Sequence, residues 1–245
     1  MYNVNDLFYK PEGKDKHIEG YLGDSNECEI LFVLREPHED NQQEFWFKNA
    51  IDKEPKERDQ YEKKYILSLG TLAYKLLGGN DDSPCVCKLE EALRKCAYIN
   101  IYPFSGESSS SIHYDNTLVA LKDVCTEEIM KSPVVLKESD RKNHCYRRIA
   151  ANRLQIIQNL NWKILVTVCG AFETITNLRP NDCPVGITVG YKSGKKPDME
   201  FRIAHYNDSA RRIVSFYHPS HSCACNVENK YLNIPDCLIL SILDS

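Results

Sequence analysis

The sequence has no apolar run approaching the roughly 20 residues that a membrane-crossing helix needs, so no membrane partner is expected. Its opening stretch, MYNVNDLFYKPEGKD, lacks the basic-then-apolar order of an export signal. The expected compartment is therefore the cytoplasm. Positive charge is not in excess: 31 Lys and Arg face 35 Asp and Glu, a net charge of −4. A protein gripping duplex DNA over many phosphates usually shows a basic face, so any such grip here must come from local clusters. Three exist: Arg147-Arg148, the stretch from Lys192 to Lys196, and Arg211-Arg212. An even cysteine count is also missing. Eleven cysteines, several in apolar segments (Cys96, Cys169, Cys237), argue against a secreted disulfide framework and for reduced core thiols. Neither an internal repeat nor an interdomain linker is visible, so residues 1–245 are read as a single domain acting as a monomer.

What is present is an ordinary globular composition, 42% hydrophobic and 27% charged. Four short apolar segments predict buried strands: EILFVL (29–34), AYINIY (97–102), KILVTVCG (163–170) and RIVSFYH (212–218). Between them lie helical patterns. Residues 59–78 carry Tyr65, Leu69, Leu72 and Leu76 at three-to-four spacing and end on Gly78-Gly79, a stop signal. Residues 144–160 place Ala150, Leu154 and Ile157 on one stripe. Strands alternating with helices predict a parallel sheet covered on both faces. Residues 187–207 instead alternate on either side of Ser193-Gly194, which predicts a hairpin with a basic tip. Residues 1–28 read as an amino-terminal extension, and 104–143 and 179–211 as insertions; the serine run SGESSSS reads as a loop.

In a parallel sheet, ligands sit beyond the carboxyl ends of the strands. The first strand is followed by Arg35, Glu36, Pro37 and His38, the second contains Asn100 and then Pro103, and the fourth runs into His218-Pro219-Ser220. A carboxylate, a carboxamide and an imidazole are therefore expected to converge on one edge. Prolines at two exits stiffen the loops and hold the preceding residue extended.

In order and strand context, LFVLREPHED, AYINIYPF, KILVTVCGAF and VSFYHPSH resemble the motifs of the uracil-DNA glycosylase superfamily, over residues 29 to about 222. The resemblance implies a three-layer α/β/α sandwich around a central four-stranded parallel sheet, here with a hairpin insertion. It implies a hydrolase of DNA repair by base excision, cleaving the N-glycosidic bond of uracil or a related damaged base in DNA. His218, held by Pro219, would donate to the departing pyrimidine as negative charge develops on it. Glu36 would orient water and offset the sugar cation. Asn100 would read the base edge, since an amide both donates and accepts. An aromatic from Phe45, Trp46 or Phe47 would stack on an extruded base, Ser220 would hold a phosphate, and Arg35 and His38 are further substrate-binding candidates. The partner would be uracil-containing DNA, bordered by the basic tip (Lys192, Lys195, Lys196) or by Arg211-Arg212.

Plainer readings stand beside these. Asn100 could be a satisfied core amide, Glu36 a partner of Arg35 or a helix cap, and Phe45 and Phe47 core residues. The usual first motif of the superfamily has a small glycine where Leu34 stands and an Asp where Glu36 stands. Together with the acidic charge and the insertions, this keeps open a non-catalytic nucleic-acid or nucleotide-binding module on the same fold. Cys85-Val86-Cys87 and Cys223-Ala224-Cys225 would suit zinc if they met in space. The simpler reading is unliganded thiols, with no metal and no cofactor. The iron–sulfur cluster of some superfamily branches needs cysteines at the amino terminus and around the second motif, but none precedes Cys28 and none lies between Cys96 and Cys125.

Overall fold

A strand whose residues are all apolar can be buried only if both faces of its sheet are covered. Ile30-Leu31-Phe32-Val33-Leu34 is such a strand, and all five residues are buried. The computed structural model describes residues 19–25, 28–34, 46–100, 106–108, 111–112, 157, 159–167, 187–191, 199–205 and 211–215. Nine strands lie among them. In chain order they are β1 (Gly20–Tyr21), β2 (Ile30–Leu34), β3 (Cys96–Asn100), β4 (Gly106–Ser108), β5 (Ser111–Ile112), β6 (Ile164–Thr167), β7 (Ile187–Tyr191), β8 (Met199–His205) and β9 (Arg212–Ser215). Three helices, α1 (Trp46–Asp52), α2 (Gln60–Leu76) and α3 (Val86–Leu93), fall between β2 and β3. The chain is α/β, with seven strands forming one mixed sheet in the order β1-β3-β2-β6-β9-β8-β7.

The middle of that sheet is parallel. β2 pairs in parallel with β3 on one side and β6 on the other, and β6 pairs in parallel with β9. These are the four segments whose apolar runs predicted strands. Antiparallel strands flank them. β1 pairs with β3, so residues assigned to an amino-terminal extension add a strand to the sheet. β7 and β8 form the predicted hairpin, and β8 pairs with β9. The serine run departs from the loop expectation, because Gly106–Ser108 and Ser111–Ile112 pair as a short antiparallel ladder.

One face of the sheet receives the three helices. Ile30, Phe32, Leu34, Cys96, Tyr98, Ile164, Val166 and Val214 form a single cluster with Phe47, Ala50 and Ile51 of α1, Tyr65, Leu69, Leu72 and Leu76 of α2, and Ala92 and Leu93 of α3. The alternate residues Leu31, Val33, Ala97, Ile99 and Leu165 are equally buried on the opposite face. The helices follow from local signals. α2 opens on a capping box: the Asp59 side chain accepts from the Glu62 N–H at 2.8 Å, and the Glu62 carboxylate accepts from the Asp59 N–H at 3.0 Å. It stops where Gly78 takes φ +87, a conformation glycine adopts without a Cβ penalty. Within α2, a Cβ on Gly70 would lie 2.9 Å from the Leu89 Cβ, so glycine there lets α3 approach closely. No helix among the described residues is long and apolar enough to cross a membrane.

A buried arginine joins the three helices. Arg58 is 4% exposed. Its Nε donates to the Ala50 carbonyl at 2.7 Å, and its Nη2 to those of Ile51 (2.8 Å) and Lys53 (2.6 Å). These carbonyls belong to the end of α1, where backbone acceptors have no intrahelical partner. Nη1 pairs with Glu90 of α3. Arg58 directly precedes Asp59, the cap of α2, so one planar fork fixes three elements. Arg58→Met should cost about 3–5 kcal/mol, because it strands a partly buried carboxylate and several carbonyls. Arg58→Lys should recover only part of the loss. In urea unfolding, the expected outcome is a lower midpoint at unchanged slope; a loss below about 1 kcal/mol would count against the three-way clamp.

Candidate functional site

Parallel pairing brings the strand exits level. Leu34 stands opposite Asn100, Val33 opposite Thr167, and Thr167 opposite Ser215. The carboxyl edge is therefore lined by the last residues of four adjacent strands, the position where ligands bind open α/β sheets. Two polar side chains on this edge are almost completely buried, Asn100 (1% exposed) and Thr167 (0%). Thr167 donates its hydroxyl to the Val214 carbonyl at 3.2 Å, tying β6 to β9.

Asn100 ends β3 one strand period above Cys96 and Tyr98, which face the helices. Beneath it the packing is aromatic. The Phe47 ring meets Tyr98 edge-on at 5.8 Å between centroids and Tyr65 at 6.1 Å. Phe47 is fully buried, so of the two readings open for it the plainer one holds: it is a core residue that supports β3 from α1. Trp46 opens α1 immediately before it; the Trp46 side chain lies outside the described residues.

The Asn100 backbone is held by a carboxylate that sequence reasoning missed. Glu19 is 0% exposed, and its Oε2 accepts from the Asn100 N–H at 3.1 Å. Since β1 runs antiparallel to β3, with Gly20 opposite Tyr98, the residue before Gly20 arrives at the carboxyl edge. The only sequence signal was an acidic residue preceding a short apolar stretch, Gly20-Tyr21-Leu22, 81 positions from its partner. The carboxyl oxygen satisfies a main-chain donor that is shut off from water, where an unpaired N–H would be costly.

Of the other site candidates, Glu36, Arg35, His38, His218 and Ser220 lie outside the described residues. The basic clusters separate. Arg212 begins β9 level with Ile164, Ile30 and Cys96, at the amino edge. That is four strand residues below Asn100, about 13 Å. Arg211 beside it stacks its guanidinium 5.0 Å from the Trp162 ring centre. Arg211-Arg212 therefore does not border the carboxyl edge, contrary to that half of the expectation. The β7–β8 hairpin points the other way. Arg202 pairs with Ser215, and β8 extends three residues further, to Met199, which pairs with Tyr191. The strand ends that bracket residues 192–198 thus project on the carboxyl side.

Two cysteines depart from the expectation of free thiols: Cys85 and Cys87 are joined as a disulfide. Cys28 and Cys96 are buried free thiols, as expected. Burial pushes the Cys28 thiol up to about 12 and holds Cys96 well above its ordinary value. Among the described residues, no group of three or more His, Cys, Asp or Glu side chains is placed to hold a metal ion. No family model matches this chain, and no curated protein matches its sequence.

The Glu19 contact is directly testable. Glu19→Ala leaves the buried Asn100 N–H without this acceptor and should cost about 1–3 kcal/mol. Glu19→Gln keeps an acceptor oxygen and should cost less. Amide hydrogen exchange at Asn100 should accelerate in the alanine variant relative to the glutamine variant. Equal exchange in the two would remove Glu19 from the support of the β3 terminus.

Proposed function

We propose that this chain is a uracil-DNA glycosylase-like hydrolase that cleaves the N-glycosidic bond of uracil or a related damaged base in DNA. The observation that carries the reading is Asn100. It is a carboxamide almost fully buried at the carboxyl end of a parallel strand, with its backbone fixed by Glu19 and an aromatic floor of Tyr98 and Phe47 below. A held amide of this kind presents a donor and an acceptor to a base edge. The three-layer arrangement with four central parallel strands is part of the proposal. Its support is the run of parallel pairings and burial on both faces of β2 and β3.

In the proposed mechanism the base leaves with negative charge developing on its ring and positive charge on the sugar. His218 donates to the departing base. Glu36 orients the water and offsets the sugar cation, as carboxylates do in glycoside hydrolysis. Asn100 selects the base: its oxygen accepts from the uracil N–H and its amine donates to the neighbouring carbonyl. A base inside a duplex must first be extruded. The segment that holds Lys192, Lys195 and Lys196 is bracketed by Tyr191 and Met199, strand ends on the carboxyl side, and this supports their meeting a phosphate backbone there.

The deciding measurement is base release from paired uracil- and cytosine-containing oligonucleotides, single-stranded and duplex. Asn100→Asp exchanges the amine donor for an acceptor, which suits the cytosine edge better. The uracil-to-cytosine rate ratio should fall on the order of 5- to 150-fold, the worth of one mismatched buried polar group. An unmoved ratio would remove Asn100 as base reader. His218→Ala should depress turnover by roughly 3–4 kcal/mol while leaving DNA affinity nearly intact, because its bond strengthens only as charge develops. DNA binding without turnover in the parent protein would instead establish the binding-module reading.

The basic tip has its own test. Reversing Lys192, Lys195 and Lys196 to Glu should weaken DNA binding and flatten its salt dependence. Reversing Arg211 and Arg212, at the far edge, should leave the salt slope unchanged. The opposite pattern would place the nucleic acid on the amino edge and away from Asn100.

A further inference from the structure

Two of the described cysteines stand apart from the core in every respect. Cys85 and Cys87 are exposed, and they form a disulfide across a single intervening residue, with Cα atoms 5.4 Å apart. A disulfide stabilises a fold chiefly by closing a long loop of the unfolded chain. This one closes a loop of three residues and joins no two elements, so its contribution as a staple is small. Exposed disulfides of that kind are the labile, chemically active ones. The pair also sits at a particular place: Cys85 is the cap residue of α3, in extended conformation (φ −66, ψ 155), and its side chain makes no capping hydrogen bond. Its carbonyl accepts from the Lys88 and Leu89 N–H groups at 3.0 and 3.3 Å, so Cys85 is the residue at which the positive end of the helix begins. A thiolate there gains from the positive helix end, which makes Cys85 the better leaving sulfur. Of the two acidic residues before the helix, Asp81 and Asp82, Asp81 is paired with Lys88.

We propose that Cys85 and Cys87 form a dithiol–disulfide exchange site whose co-reactant is a small soluble thiol of the glutathione class. The thiolate of the small molecule attacks the Cys87 sulfur, and the Cys85–Cys87 bond breaks with its electron pair going to Cys85. This leaves a mixed disulfide on Cys87. A second small thiolate attacks the outer sulfur of that mixed disulfide and releases the oxidised small disulfide and the Cys87 thiolate. Two thiols are thereby oxidised to one disulfide and the protein disulfide is reduced to two thiols. The two protons given up by the small thiols end on the cysteines. The reverse sequence reoxidises the pair. This site stands 13 residues before Asn100 in the chain and does not rest on the glycosylase reading.

The full-length protein would be equilibrated with reduced and oxidised glutathione over a range of ratios, quenched in acid and alkylated. Peptide mapping would then follow each cysteine. The expected result is that the 85–87 peptide converts reversibly between disulfide and dithiol with the ratio, while Cys28 and Cys96 stay unmodified in the folded protein. Single variants assign the two sulfurs: with one cysteine left, Cys85 in Cys87→Ser should alkylate at least about threefold faster at neutral pH than Cys87 in Cys85→Ser. A pair that stays oxidised in a large excess of reduced glutathione, or that never closes under oxidised glutathione, overturns the proposal. Equal alkylation rates in the two variants overturn the assignment of Cys85 as leaving sulfur.

Discussion

The parallel registration of β2 between β3 and β6 is the constraint on which the rest of this molecule depends. A strand with a parallel neighbour on each side has no exposed edge, and its chain must return each time by a crossover long enough to reach the starting edge again. The return from β2 to β3 carries α1, α2 and α3, and all three press onto one face of the sheet they link. Parallel direction also sends every central strand out on the same side. That is why Leu34, Asn100, Thr167 and Ser215 end beside one another although they are widely spaced in sequence. The antiparallel additions use the same edge in the opposite sense. β1 enters from it, bringing Glu19 against Asn100, and the paired ends of β7 and β8, Tyr191 and Met199, lie beyond it.

Three buried polar residues in this frame, Arg58, Glu19 and Thr167, are anchored by their partners. Arg58 spends its fork on the end of α1 and on Glu90, and so converts three separate helices into one layer. Glu19 holds the N–H of Asn100, and Thr167 holds the carbonyl of Val214. Each contact closes a long or medium-range connection that apolar packing alone would leave free to slide. The last two lie within one residue of the strand exits, where a side chain must be held firmly if it is to discriminate between similar ligands.

The central strands were legible because buried parallel strands read as unbroken apolar runs, and EILFVL and KILVTVCG are such runs. α2 was legible because Tyr65, Leu69, Leu72 and Leu76 recur at three-to-four spacing and Gly78-Gly79 marks a stop. α3 was not, since eight residues beginning Val-Cys-Lys carry three buried positions, Leu89, Ala92 and Leu93, too few to establish a period. β1 has two residues and no pattern at all. The site divides in the same way. Asn100 stood out as a polar residue within the apolar run AYINIY, a local signal. Glu19 did not, because its meaning lies in a partner far along the chain. Phe47 had the right chemistry for stacking, yet composition cannot separate an aromatic that faces a ligand from one that supports the floor beneath it.

Charge shows the same limit of one-dimensional reading and also what resolves it. Lys192 to Lys196 and Arg211-Arg212 are equivalent in sequence: short, basic and close to the last strand. Strand direction makes them opposites. Arg212 starts a parallel strand and so must lie at the amino edge, where Arg211 rests on Trp162. Residues 192–198 are bracketed by strand ends that overrun β9 at its carboxyl end. With a net charge of −4, the chain as a whole repels a polyanion, so approach depends on which edge carries a cluster projecting away from the acidic average. Screening confines each cluster to about 8–10 Å at physiological salt, less than the roughly 13 Å between the two strand edges. A cluster at the amino edge therefore contributes little at Asn100, and any electrostatic guidance toward the carboxyl edge must come from groups on that edge itself.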